Sequence, residues 1–254
     1  MTREARYSES EVLHGLATSG QFDRLVRYLA SNEPLGVRRR AAALLAECSD
    51  EIDRDSELDD QLFAAVLRES DDTVRAKIIE TLLAVEEGVI DELVARIESD
   101  AEPTPTDSPH PLVFFRWLDS QHAVLRELAV AGIGAAATPS VVPKIAGGCN
   151  DPHPRVRERA LAECARVGDS RCVDAIVDCL DSDREAIRTA AASALAEIGT
   201  DGAVGALLSA AASDDLAVRR TAISELGAVG SLDVLGCLLH NIAGGPESIR
   251  DAAV

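Results

Sequence analysis

A pattern of apolar positions recurs along the chain at intervals of 31 residues. An apolar residue followed by Arg opens each interval, at Val156-Arg157, Ile187-Arg188, Val218-Arg219 and Ile249-Arg250. Counted from that apolar residue, positions +4, +5, +8 and +11 are also apolar or small, which is the spacing of one helix face. The pattern therefore predicts a helix with one buried stripe in every interval.

The same apolar-Arg pair occurs earlier in the chain, at Leu125-Arg126 and then, after insertions of 20 and 6 residues, at Val74-Arg75 and Val37-Arg38. A shorter apolar run with spacing 0, +3, +4 and +7 predicts a second helix in the repeat. Its members are Val173, Ile176, Val177 and Leu180 in one interval, Leu235, Leu238, Leu239 and Ile242 in another, and Phe22, Leu25, Val26 and Leu29 near the N-terminus. Each interval is therefore expected to be a helical hairpin.

The residues between these helices have turn and capping chemistry. Gly168, Gly199 and Gly230 follow the Arg helices, at the position where a residue without Cβ adopts a left-handed conformation and ends a helix. Ser182 and Glu185 have the spacing of a capping box. Both signals place the helix ends where the apolar pattern places them.

A hairpin of about 31 residues cannot bury its apolar face alone, so neighbouring hairpins must stack. We therefore predict an all-α fold, a right-handed α-solenoid that forms a single domain over residues 1–254. An irregular insertion interrupts it at about 99–118, where four Pro residues break the helical period. The last repeat, from residue 243, is incomplete at Val254, as expected of a truncated chain or of an end that dimerises through an open edge.

Two segments, DPHPRVRERALAECARVG and DSDREAIRTAAASALAEIG, resemble HEAT repeats, and most closely the short type found in phycobilisome-lyase-like proteins. The resemblance implies that the Arg-bearing helices line the concave side. It also implies that a ladder of arginines ties adjacent repeats to acidic turn residues. The arginines at the matching positions are Arg126, Arg157, Arg188 and Arg219.

The aromatic residues are concentrated in one place. The chain has seven aromatics, and Phe114, Phe115 and Trp117 stand together with Arg116 at the end of the insertion. One interpretation is that the rings fill a gap where the insertion breaks the regular stack. The other is that these four residues bind a partner protein, because Trp and Arg are common interface anchors and Arg116 suits a carboxylate.

The charge of the chain is strongly negative, at −19, and its only lysines are Lys77 and Lys144. An acidic, Lys-poor surface on a normal apolar core is typical of a halophilic prokaryote, where salt screens the self-repulsion of the surface. The same charge argues against nucleic acid as a partner. The chain has no long apolar run and no signal-peptide pattern, so we expect no membrane partner and a cytoplasmic location.

The sequence contains no motif of a known catalytic or metal site. No His is followed by Glu, which excludes the di-iron chemistry of one HEAT-like enzyme, and the six Cys contain no CxxC pair. Cys149 and Cys164 occupy positions that are Leu in sister repeats, so we expect reduced thiols in the core and no metal or cofactor. Cys172 and Cys179 are seven residues apart and are the one pair worth testing for metal.

The predicted function is a non-catalytic scaffold or adaptor that binds another protein, in prokaryotic signalling as a finer hypothesis. The alternative is an enzyme like the bilin lyases and isomerases, with a tetrapyrrole in the concave groove. The groove is expected to accept a helix or an extended peptide, or to be an ordinary solvated surface. Its expected residues are Glu158, Arg159, Ala162, Glu163, Arg166, Thr189, Ala190, Ser193, Glu197, Arg220, Thr221, Ser224 and Glu225.

Overall fold

The structure is a computed structural model that describes residues 3–52, 56–84, 88–100, 112–227, 232–244 and 249. All the regular secondary structure in these ranges is helical, which confirms the all-α fold class. The α-helices are α1 (Arg3–Thr18), α2 (Phe22–Val26), α3 (Leu35–Glu47), α4 (Ser56–Arg68), α5 (Asp72–Leu83), α6 (Val89–Asp100), α7 (Leu112–Phe115), α8 (Ala123–Ala136), α9 (Val142–Gly148), α10 (Pro154–Val167), α11 (Val173–Leu180), α12 (Glu185–Ile198), α13 (Asp201–Ala210), α14 (Leu216–Leu226) and α15 (Leu232–Gly244).

The chain forms two compact units. Unit 1 comprises Met1–Asp107 and Asp119–Leu128, and unit 2 comprises Ser108–Leu118 and Ala129–Val254. In unit 1, α3 packs against α1, α2 and α5, and in unit 2, α12 packs against α10, α11, α13 and α14. A single solenoid over residues 1–254 stays a prediction.

The Arg helices contact one another from repeat to repeat, as the apolar stripe predicts. In unit 2, α10 packs against α12 and α12 against α14, while the shorter helices α9, α11 and α13 contact their own neighbours in a second layer. The five stripe positions of α12 are all buried, at Ile187, Ala191, Ala192, Leu195 and Ile198. Small Ala side chains on this stripe let the stacked helices approach closely, which explains how a core with so few aromatics is filled.

The predicted helix ends are confirmed where the structure describes them. Gly168 and Gly199 end α10 and α12 with φ of 67° and 60°, the left-handed conformation that a side chain with Cβ rarely adopts. Gly230 lies outside the described residues. The predicted capping box at Ser182 and Glu185 is wrong, because the N-cap of α12 is Arg184 and no side chain caps it.

The second-helix stripe is only partly correct. On α11, Val177 is 36% exposed, and Cys172 and Cys179 lie in the core beside Ile176 and Leu180 instead. The helix is rotated relative to the expected stripe because its buried face begins in the preceding 3-10 turn. On α15, Leu235 and Leu239 are 51% and 57% exposed, and Val234 is buried.

Candidate functional site

The aromatic segment forms the one-turn helix α7 and the turn after it, in unit 2. The rings of Phe114 and Trp117 are 1% and 3% exposed and form an edge-to-face pair with centroids 6.2 Å apart. Phe114 lies directly on α8 at Gly132, where an added Cβ would come within 3.0 Å of three ring atoms. Gly at this position is therefore what allows the ring to enter the core, and this placement supports the gap-filling interpretation for these two side chains.

The other two residues of the segment reach the surface. Arg116 is exposed and Phe115 is half-buried. The Arg116 guanidinium lies over the Trp117 ring, 4.4 Å from its centroid, which is cation–π geometry. Among the described residues Arg116 has no ion pair. A buried indole thus contacts the guanidinium of an exposed arginine.

A partner-binding role for Phe114, Phe115, Arg116 and Trp117 stays a prediction, and the structure limits how it could operate. Phe114 and Trp117 are buried within the chain, so neither ring is available as an exposed anchor. The side chains available to a partner are Arg116 and the exposed part of Phe115. The sequence could not separate these roles, because two buried residues, Phe114 and Trp117, flank two more exposed ones within four consecutive positions.

Arg126, Arg157 and Arg188 of the ladder, and Arg75 at the same position of an earlier repeat, donate to main-chain carbonyls of the turn that precedes their own helix. In four repeats the acceptor is the carbonyl oxygen six residues earlier. These bonds are Arg75 Nη2 to Glu69 O, Arg126 Nη1 to Ser120 O at 2.8 Å, Arg157 Nη1 to Asp151 O at 2.8 Å, and Arg188 Nη1 to Ser182 O at 2.7 Å. We call the residue at this position the turn acceptor. Each Arg therefore fixes the turn between two helices of the stack.

The turn acceptor has a second function through its side chain. In every case a side-chain oxygen accepts the N–H of the residue two positions later, which closes the turn locally. The acceptors are Glu69 Oε1 for Asp71, Ser120 Oγ for His122, Asp151 Oδ1 for His153, Ser182 Oγ for Arg184 and Ser213 Oγ for Asp215. Glu, Asp and Ser all supply this oxygen, so the position varies in residue type and keeps one chemistry.

Arg38, which follows the apolar residue in an earlier repeat as the ladder arginines do, also reaches a carboxylate of the next repeat. In unit 1, Arg38 donates Nε to Glu69 Oε2 at 2.9 Å and Nη2 to Glu69 Oε1 at 3.1 Å. Burial of Glu69 raises its pKa, but the hydrogen bonds from Arg38 and from the N–H groups of Asp71 and Ser70 outweigh it and lower the pKa below the usual value. It is an acidic tie of the kind that the family resemblance implies, at an arginine outside the four predicted ladder positions.

The arginines of unit 2 differ from Arg38 in the described structure, and a ladder of acidic ties through Arg126, Arg157, Arg188 and Arg219 stays a prediction. Arg157 and Arg188 make no bond to a carboxylate among the described residues, because the turn acceptors of the next repeats are Ser182 and Ser213, which are too short to reach them. The Nε atoms of Arg188 and Arg219 are buried and have no hydrogen-bond partner in the described structure. The side-chain hydrogen bonding of Arg188 and Arg219 is therefore less complete than that of Arg38.

Arg188 nonetheless lies near an acidic residue. Hydrogen bonds from the N–H groups of Val218 and Ala217 lower the pKa of Asp215, and the nearby charge of Arg188 lowers it further. The acidic turn residue therefore caps α14 and attracts the guanidinium only through space.

The expected groove face contains buried polar residues as well as exposed ones. Glu163 is only 7% exposed and accepts from Arg166 Nε at 2.9 Å and from Arg166 Nη2 at 2.7 Å. Its carboxylate lies on α8 at Gly134, where a Cβ would come within 3.0 Å of it. Thr221 is 7% exposed and donates to Ala217 O at 2.9 Å. Glu163 contacts a neighbouring helix, and Thr221 bonds within its own helix. Both are buried, so the expectation that these two positions are open to a partner is wrong.

Two polar contacts on this face link consecutive repeats of unit 2. Ser193 Oγ lies 3.2 Å from Glu225 Oε2, and Arg220 Nη2 donates to Glu185 Oε1 at 2.5 Å. The exposed Arg–Glu pair contributes about 1 kcal/mol or less to stability because water screens it.

Unit 1 contains a half-open cavity that the sequence did not indicate. Its volume is about 470 Å³, and its lining includes Glu9, Leu13, Pro34, Val37 and Arg40. It lies between α1 and α3, with an apolar floor and one charge of each sign at its edge. Hydrophobic periodicity marks Leu13 and Val37 only as core positions, so it gives no signal for a cavity between them.

In the part of the chain that the structure describes, no group of three or more His, Cys, Asp or Glu side chains is arranged to hold a metal ion. Cys149, Cys164, Cys172 and Cys179 are buried, in agreement with the core role predicted for them. Cys172 interacts with Cys164, and the interaction partner of Cys179 is Cys149.

No helix in the described ranges is both long enough and apolar enough to cross a lipid bilayer.

Comparison with known proteins identifies one family. Residues 113–196 and 173–254 match the family of HEAT repeats. Among solved structures, the chain is similar to the X-ray structure of YibA from Escherichia coli, with 19% sequence identity and a TM-score of 0.49 over 94% of this chain and 83% of that chain. No curated protein matches the sequence.

Proposed function

Because the chain belongs to the HEAT-repeat family, which it matches from residue 113 to residue 254, we propose that it is a non-catalytic scaffold or adaptor that binds another protein. Stacked helical repeats offer extended surfaces for protein partners, and scaffolding is a common role of the family. The family alone does not specify a partner, so the proposal depends on a particular surface of this chain.

The observation that carries the proposal is the pairing of Arg116 with Trp117. An exposed arginine normally loses side-chain freedom when it binds a partner. Here the indole already holds the guanidinium at 4.4 Å, so much of that cost is met before binding. Arg116 also has no ion pair in the described residues, although acidic residues outnumber basic ones 44 to 25 in the chain.

The chemistry of this surface favours a carboxylate on the partner. A guanidinium binds a carboxylate through two parallel hydrogen bonds, and Phe115 beside it offers apolar contact area. The net charge of −19 repels an acidic partner over long range. At 0.1 M ionic strength, salt screens this repulsion at distances beyond about 10 Å. We therefore expect the complex to form best at high ionic strength.

Affinity purification from native lysate at high salt tests the proposal with three forms of the full chain. The wild type is expected to retain one protein in a stoichiometric amount, and Arg116→Ala is expected to lose it. Arg184→Ala is the matched control, since Arg184 is also an exposed arginine of unit 2. Recovery of no stoichiometric protein, or equal recovery with all three forms, contradicts the proposal.

Several finer proposals go with this function. The Lys-poor, acidic composition supports a halophilic prokaryotic host and a cytoplasmic site of action, and the repeat sequence supports the short phycobilisome-lyase-like type of HEAT repeat. A role in signalling is the most specific of these proposals. The bilin lyase or isomerase alternative predicts a shifted, stoichiometric absorbance spectrum when the protein is mixed with a tetrapyrrole.

A further inference from the structure

Four of the six cysteines meet in the core of unit 2. Cys149 follows α9, Cys164 lies in α10, Cys172 ends the 3-10 turn before α11, and Cys179 lies in α11. We call these four residues the thiol cluster. Cys149, Cys164 and Cys172 are at most 1% exposed, and Cys179 is 5% exposed.

The four sulfur atoms form a chain of contacts with Cys149 near its centre. The Cys149 thiol interacts with the thiols of Cys164 and Cys179, and Cys164 interacts in turn with Cys172. The Cys179 thiol also donates to the Cys149 carbonyl oxygen, with Sγ 3.3 Å from O. Cys149 and Cys179 are therefore joined by two contacts between consecutive hairpins.

Packing alone does not require sulfur at these positions. One interval later, the four positions are occupied by Leu180, Leu195, Ala203 and Ala210, and the hairpins there stack in the same way. Ordinary apolar residues therefore fill the equivalent space elsewhere in the same protein. In this one repeat, all four positions that meet are Cys.

The arrangement suits the formation of a covalent bond better than it suits a metal ion. Among the described residues no three potential ligands converge on one point, and a linear chain of contacts presents thiols only in pairs. Two thiols in contact can be joined by oxidation if an oxidant accepts their two electrons.

We propose that Cys149 and Cys179 are an oxidation site for hydroperoxides and form a disulfide bond between the two hairpins. Cys149 attacks the peroxide, R–OOH, and becomes a sulfenic acid while the alcohol R–OH leaves. The Cys179 sulfur then attacks the Cys149 sulfur, and the sulfenic oxygen leaves as water with the remaining thiol proton. Two thiols and one hydroperoxide thus give one disulfide, one alcohol and one water molecule.

The surroundings assign the two roles. Interaction with the neighbouring thiols of Cys164 and Cys179 lowers the pKa of Cys149, so Cys149 is the thiol most able to act as a thiolate nucleophile. The same contact with Cys149, together with burial, raises the pKa of Cys179. Cys179 therefore keeps its proton until the sulfenic acid has formed, and it is the least buried of the four.

The bond would fasten the end of α9 to α11 across the intervening helix α10. Separation of these two hairpins requires that contact to open, so the oxidised protein should resist thermal unfolding more than the reduced one. This inference goes beyond the proposed scaffold function and does not depend on it.

The experiment uses the full chain, fully reduced and then exposed to hydrogen peroxide. Peptide mapping of the oxidised protein is expected to identify a bond between Cys149 and Cys179, with the loss of two hydrogen atoms and a higher melting temperature. The Cys48→Ser, Cys237→Ser double variant serves as a control, because it removes the two half-buried cysteines and should form the bond unchanged. The Cys164→Leu, Cys179→Ala double variant introduces the residues that occupy the sister positions 195 and 210. It removes both thiols that contact Cys149 and should stop at the Cys149 sulfenic acid, which a dimedone probe detects.

Two results would overturn the proposal. One is that Cys149 and Cys179 remain reduced while Cys48 and Cys237 are oxidised. The other is that the bond in the wild type joins a different pair. Because mapping of the wild type decides both, the test does not depend on whether the alanine variant folds.

Discussion

Arg38 and Glu69 stand 31 residues apart and join two consecutive repeats of unit 1 through two hydrogen bonds, at 2.9 Å and 3.1 Å. Their side chains are only 11% and 3% exposed. The main-chain carbonyl of Glu69 accepts from Arg75 as well, so Glu69 contacts two ladder arginines at once. Removal of its charge would leave the largely buried Arg38 guanidinium without an anionic partner.

We therefore expect Glu69→Gln to lower the free energy of unfolding by about 3 kcal/mol, the cost of breaking a buried ion pair on one side. Urea unfolding followed by circular dichroism measures it. Glu47→Gln is the matched control, because Glu47 pairs with Arg40 at 3.7 Å while 61% exposed, and its loss should cost less than about 1 kcal/mol. Equal losses for the two variants would show that the rung does not contribute.

Acid should weaken the contact between Arg38 and Glu69. The pKa of Glu69 is lower in the folded chain than its usual value, so its contribution is fully present above the unfolded carboxyl pKa of about 4.3 and is lost as the pH falls through the folded value. The wild type and Glu69→Gln should thus differ at pH 7 and converge at low pH. Urea unfolding of both proteins at a series of pH values checks this, and a constant difference would contradict it.

Gly132→Ala should destabilise the protein by about 1–3 kcal/mol, as overpacking of a core does. The added Cβ would come within 3.0 Å of the Phe114 ring, which is 1% exposed and has no free space to move into. Gly205→Ala is the control, because Gly205 lies within α13 with no atom near its missing Cβ. That change should stabilise the helix by about 0.5–1 kcal/mol, and thermal unfolding compares the two. A neutral result at Gly132 would mean that Phe114 does not pack there.

Trp117→Ala should reduce stability, whereas Arg116→Ala should reduce partner binding. Trp117 is buried, and its truncation is expected to cost about 3–5 kcal/mol of stability. Arg116 is exposed, so its replacement should change stability by about 0.5 kcal/mol or less and act only on partner binding. Melting temperatures of the two variants test this, and a stable Trp117→Ala would contradict the buried role of the indole.

The incomplete rung of Arg188 suggests a stabilising change. Ser213 is the turn acceptor of the repeat that follows Arg188. Glu69 occupies the same position in the repeat that follows Arg38. Ser213→Glu should supply the carboxylate for the buried Arg188 Nε and raise the free energy of unfolding by about 1 kcal/mol or more. Ser213→Gln, which lacks the charge, should give a smaller gain in urea unfolding. An equal or lower stability of Ser213→Glu would show that the carboxylate does not reach Arg188.

Periodicity predicted the parts of the structure that depend on neighbouring side chains along one helix. The stripe from Ile187 to Ile198 and the left-handed Gly199 were correct because burial on one helix face and a turn without Cβ both leave a direct trace in the sequence. Membership of the HEAT-repeat family followed from the same trace.

The acceptors of the ladder were not predictable in the same way. Arg157 and Arg188 bond to main-chain oxygens, and every residue carries such an oxygen, so the sequence offers no distinctive acceptor. The contacts of Cys149 depend on residues up to 30 positions away, and those distances are set by tertiary packing. For the aromatic segment, the sequence predicted both roles and only the structure assigned them to separate residues.

The local closure of each turn has a consequence for how such a protein can change its length. Since an arginine such as Arg157 holds the turn only six residues before it, the parts of a joint are carried on one short stretch of chain. Duplication or excision of 31 residues in frame would therefore transfer whole joints, whereas a gain or loss of a few residues would separate an arginine from its carbonyl. Proteins built on this joint can therefore gain or lose length in steps of one whole hairpin, and intermediate lengths are disfavoured.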